Sequence, residues 1–77
     1  MKDIQILYGK RVKQLRLEKK LSQEKLANIV ELDRTYVAQV ESGKRNISLR
    51  NIQKLSHGLG VTLGEFFSDC LFDEESE

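Results

Sequence analysis

The chain has 77 residues, a formal net charge of +1 and one cysteine, Cys70. A single small domain follows, of a size that buries only about 60% of its unfolded surface and is marginal on its own. The lone cysteine excludes a disulfide framework, and no apolar run reaches membrane-span length or forms a secretory leader, so a soluble, cytoplasmic protein is the expectation.

The charge is unevenly spread. Residues 69–77 hold Asp69, Asp73, Glu74, Glu75 and Glu77 and no Lys or Arg, which leaves residues 1–68 at +6. A basic body with an acidic tail is compatible with nucleic-acid binding on one face, the tail serving most simply as a solubilising segment.

In chain order, residues 3–19 read as a first helix. Leu7, Val12 and Leu15 point inward, Lys10, Arg11, Lys13 and Lys19 surround them, and Gly9 weakens the start. Ser22 caps a second helix in which Leu26, Ile29 and Val30 have the i, i+3, i+4 spacing of an amphipathic face. Ala27 is small where two helices would cross. Leu32 plugs the core from the turn, and Asp33 is placed to cap a third helix that begins at Arg34. Val37 and Val40 face inward, leaving Arg34, Thr35, Ala38 and Gln39 on another face. Gly43 closes this helix, and Lys44 to Ile47 form a basic loop. Ser48 caps a fourth helix with Leu49, Ile52, Leu55 and Leu59 as its expected inward positions and Ile47 as a hydrophobic staple. Gly58 and Gly60 end it. Thr62 caps a short fifth helix from Leu63 to about Asp69. Without proline or any alternating strand pattern, the chain reads as all-α with five helices.

Two short helices joined by a tight turn, Ser22 to Ser42, have the sequence form of a helix-turn-helix, whose second helix enters the DNA major groove. Arg34 opens that helix and can pair with guanine O6 and N7; Thr35 and Gln39 can read bases beside it. Tyr36 flanks this face, and two readings stand equally: a contact to the sugar–phosphate wall, or a half-buried core residue. Gln23 lies at the start of the second helix, where unpaired backbone N–H groups suit a phosphate. Lys44, Arg45 and Asn46 can hold the adjacent backbone, which contributes affinity and register rather than sequence choice. For each residue alone, the plain alternative is an ordinary exposed polar group.

From about Tyr8 to Phe67 the chain resembles the Cro/C1-type helix-turn-helix family. Within it, Arg34-Thr35-Tyr36 and Arg45-Asn46-Ile47-Ser48 most resemble the controller proteins of restriction–modification systems. The resemblance implies a compact five-helix, lambda-repressor-like DNA-binding domain over residues 1–69, followed by an acidic tail, 70–77. It implies a homodimeric transcription regulator on a palindromic operator in double-stranded DNA. It also implies that Arg16 and Glu41 form an internal ion pair, which removes Arg16 from the DNA-contacting set. The sequence departs from the family at Glu31, where Gly is frequent, and at Ile47, where Pro is frequent. Glu31 implies either a turn strained by roughly 1 kcal/mol or a different turn geometry.

Val61, Leu63, Phe66, Phe67, Leu71 and Phe72 crowd the C-terminal end. An apolar patch of this kind marks a partner surface, and Leu63, Phe66, Phe67 and Leu71 are the candidate dimer interface. The alternative is that Leu63 and Phe66 are core and the rest a frayed tail. His57 and Cys70 are isolated, so no metal site is expected, and no nucleophile–base pattern or phosphate loop points to an enzyme, a cofactor or a small-molecule ligand. The reading is a sequence-specific regulator. An antitoxin-like protein-interaction module and a stand-alone phage-type repressor are the alternatives.

Overall fold

The computed structural model describes residues 3–76, with side chains described as far as residue 73; the expected acidic groups of Glu74, Glu75 and Glu77 lie outside the described side chains. Five α-helices follow one another: α1 (Ile4–Glu18), α2 (Gln23–Val30), α3 (Arg34–Glu41), α4 (Leu49–Gly58) and α5 (Leu63–Phe66), then a 3-10 segment, Cys70–Ser76. Helix α3 packs on both α1 and α2, α4 on α2, α5 on α4, and the 3-10 segment returns to α1.

Side-chain caps set most of the helix starts. Ser22, Ser48 and Thr62 each accept a hydrogen bond from the backbone N–H three residues on. Thr62 adds the reciprocal bond from its own N–H to Glu65, completing a capping box. Asp3 caps α1 by accepting from the Gln5 N–H. Asp33 occupies the expected cap position of α3 in extended backbone, but its carboxylate makes no capping hydrogen bond. The tight turn between α2 and α3 is left-handed at Glu31, φ 61° and ψ 44°, so of the two geometries open to this residue the strained one is adopted.

The core gathers Tyr8, Val12, Leu15, Leu26, Ala27, Val30, Val37, Val40, Leu55, Leu59 and Phe66. Two expected inward residues are exposed instead. Leu49 is 84% exposed and Ile29 48%. Each i to i+3 step falls about 60° short of a full turn, so Leu49 and Leu55 stand roughly 120° apart on α4 and cannot share one buried stripe. Gly9 is not a passive weak point: a Cβ there would strike the Val40 carbonyl oxygen and lie 2.9 Å from that of Glu41. It permits the close crossing of α1 and α3.

Helix α5 is one turn long and stops well before Asp69. Its C-terminal carbonyls are held by a side chain the sequence reading left on the surface. Arg11 donates from Nε to the Phe66 carbonyl at 2.7 Å and from Nη2 to that of Glu65 at 2.9 Å, and its Nη1 reaches Asp69 Oδ2 at 3.2 Å. The Leu71 N–H donated to Asp69, with the nearby Arg11 charge, holds that carboxyl below its ordinary pKa. Phe72 packs against the core and touches the rings of Phe66 and Phe67. The chain therefore keeps contact with the core as far as Phe72.

Candidate nucleic-acid interface

Burial of Val37 and Val40 fixes the roll of α3. With those two inside, Arg34 and Thr35 are exposed at the N-terminal end and Gln39 is half-buried one turn further along. That is the order in which a reading helix meets base edges.

The other end of α3 is tied down by charge. Arg16 Nε donates to Glu41 Oε2 at 2.6 Å and Nη2 to Oε1 at 3.0 Å, a two-pronged pair whose side chains are only 9% and 4% exposed. The remaining Arg16 Nη1 donates to the Leu21 carbonyl at 2.7 Å. The hydrogen bonds to Glu41 raise the guanidinium's already high pKa, so it stays charged although buried. Gln23 has a partner here that the sequence did not reveal: its Nε2 donates to Glu41 Oε1 at 3.0 Å. In place of a free amide aimed at phosphate, one N–H of Gln23 completes the shell of the buried carboxylate, and the pair joins α1, α2 and α3 at one point.

Lys44, Arg45 and Asn46 are exposed in the loop after α3, which Gly43 turns with φ +78°. Of the two readings for Tyr36, the half-buried one is observed. It is half-buried against the core, its hydroxyl accepts from Asn51 Nδ2 at 3.0 Å, and the Arg45 guanidinium lies over its ring at 4.5 Å from the centroid. The phenol oxygen accepts from Asn51, so its own proton remains available to an outside acceptor.

Residues 12–66 match the model of a helix-turn-helix family. The chain belongs to the Cro/C1-type helix-turn-helix family. It is 56% identical over 70 residues to the control protein C.MunI of a Mycoplasma species, an alignment covering 90% of this chain and 95% of that protein. It is similar in structure to the restriction–modification controller C.AhdI from Aeromonas hydrophila, with a TM-score of 0.79 and 48% identity over 82% of this chain and 96% of the other. A C.Esp1396I tetramer in complex with its natural 35-base-pair operator matches over the full length of both chains, with a TM-score of 0.85 and 31% identity. Helix-turn-helix controllers of this kind are transcription regulators and not enzymes.

The apolar C-terminal end of this helix-turn-helix domain differs from the sequence reading in one respect. Phe66 is fully buried within a single chain, between Tyr8 at 4.7 Å and Phe67 at 4.9 Å between ring centroids, so it has no surface to offer a second subunit. Leu63 and Phe67 are 41% and 38% exposed, and Leu71 is half-buried. With Leu49, Ile52, Arg50 and Gln53 of α4, Leu63 and Phe67 line an open groove of about 500 Å³. Leu49 is the residue the sequence reading missed. The available signal was its place at the first position of α4, off the stripe defined by Leu55 and Leu59. No helix among the described residues is long and apolar enough to cross a membrane.

Proposed function

We propose that this chain is the controller of a restriction–modification system and that it binds a palindromic operator as a homodimer. The observation that carries the proposal is the full-length match to C.Esp1396I crystallised on its operator, joined to an exposed α3 face that offers Arg34 and Thr35 outward. Arg34, Thr35 and Gln39 are the base readers. Arg34 supplies the bidentate donor set suited to guanine. Lys44, Arg45 and Asn46 hold the backbone after α3, and the Tyr36 hydroxyl donates its free proton to a phosphate oxygen. The second N–H and the carbonyl of Gln23 remain for a backbone contact at the start of α2.

The groove formed by Leu49, Leu63 and Phe67 is the surface on which a second copy sits. Two-fold association places two reading helices one DNA turn apart, which matches a palindromic site. The Arg16–Glu41 pair sets the angle of α3 and makes no DNA contact.

Competition binding with operator and random DNA tests the reading. Arg34→Ala should lose about 1–3 kcal/mol on the operator and much less on random DNA. An equal loss on both would make Arg34 a phosphate contact, and a wild-type protein without preference for its upstream DNA would remove the controller assignment.

A further inference from the structure

Three side chains from three different segments line up behind the basic loop. Asn51 is on α4, Tyr36 on α3 and Arg45 in the loop between them. Asn51 Nδ2 holds the Tyr36 hydroxyl at 3.0 Å, and the Tyr36 ring carries the Arg45 guanidinium 4.5 Å from its centroid. Arg45 is exposed, and its guanidinium rests on this ring. The backbone N–H of Asn51 is separately engaged by the Ser48 hydroxyl as part of the α4 cap.

We propose that Asn51 is a positioning residue for DNA binding: by anchoring the Tyr36 hydroxyl it fixes the ring on which Arg45 is held ready for the phosphate backbone. This inference rests on the DNA-binding reading above. A free arginine side chain loses much rotamer freedom when it is pinned to a phosphate. A guanidinium already parked over an aromatic face has met part of that cost before DNA arrives. The ring can do this only if it is itself held. Tyr36 sits on the exposed shoulder of α3, half-buried, and its hydroxyl end is fixed by the Asn51 amide. Asn51 donates, so the phenol oxygen accepts and its proton is turned to the outside. One amide on α4 therefore sets two prospective backbone contacts, the Tyr36 hydroxyl and the Arg45 guanidinium. Such contacts act on all sequences alike.

The test is Asn51→Ala, which keeps the backbone N–H that Ser48 caps and places a good helix former in α4. Binding to operator and random DNA should weaken together, about two- to tenfold, with their ratio unchanged. Arg45→Ala should cost less in the Asn51→Ala background than in the wild type. In the free protein, the side-chain protons of Arg45 should show upfield ring-current shifts by NMR that collapse in Asn51→Ala and in Tyr36→Leu. The melting temperature should move by only a few degrees. Wild-type affinity in Asn51→Ala, additive losses with Arg45→Ala, or ring-current shifts that survive the substitution would each overturn the inference. A lowered melting temperature with intact ring-current shifts would also overturn it, by making Asn51 merely structural. If the wild-type protein binds no DNA, the controller reading fails, and the ring-current measurement still decides whether Asn51 positions Arg45.

Discussion

Removing one partner of the Arg16–Glu41 pair should be among the most damaging single changes available in this chain. Both side chains are under 10% exposed, and the pair is bidentate, with contacts of 2.6 and 3.0 Å. In Glu41→Leu the Arg16 guanidinium keeps only the Leu21 carbonyl, and Gln23 loses its acceptor. A stranded buried charge of this kind costs about 3–5 kcal/mol, whereas an exposed pair is worth about 0–1 kcal/mol. For a domain of this size each kcal/mol lowers the melting temperature by about 4–8 °C. Glu41→Leu should therefore melt at least about 12 °C below the wild type. Arg16→Met should fall by a comparable amount, because Glu41 then retains only the Gln23 amide. The double variant should recover most of the loss, since two apolar side chains of similar size fill the space without a buried charge. Thermal melts by circular dichroism at one fixed protein concentration give the full double-mutant cycle. Shifts below about 4 °C, or a double variant whose loss is the sum of the singles, would refute the reasoning.

Three further outcomes follow from the geometry. Phe67→Asp puts a charge into the Leu49–Leu63 groove, and sedimentation should find a folded monomer that binds the full operator far more weakly; a variant that remains dimeric would place the interface elsewhere. Glu31→Gly relieves the left-handed turn, a strain of about 1 kcal/mol partly offset by the greater freedom of glycine in the unfolded chain, so it should raise the melting temperature by a few degrees, and a fall would show that the Glu31 side chain stabilises the turn. Gly9→Ala should destabilise by about 1–3 kcal/mol, despite the better helix propensity of alanine, because its Cβ meets the Val40 and Glu41 carbonyls; a more stable variant in a thermal melt would mean that α1 and α3 do not approach as closely as described.

Short-range features of this protein were legible in the chain itself. Ser22, Ser48 and Thr62 are placed at the starts of helices because a hydroxyl reaches an N–H three residues away, and nothing distant is involved. The helix-turn-helix and the outward face of Arg34 and Thr35 follow from the spacing of Val37 and Val40 along one helix. Tertiary structure alone decided what each side chain meets. Ile29 turns outward because the packing of neighbouring helices covers only part of the apolar arc of α2. Phe66 goes inside because Tyr8, more than fifty residues earlier, lies beside it. Gln23 is diverted to Glu41, Arg11 caps the end of α5, and Asn51 finds Tyr36, each through a contact between elements that no local pattern encodes. A helical period specifies which residues share a face. The partner waiting for that face depends on how the helices pack, and there the candidate site acquired its tyrosine anchor and its apolar groove, whereas the Arg16–Glu41 pair was already implied by the family resemblance.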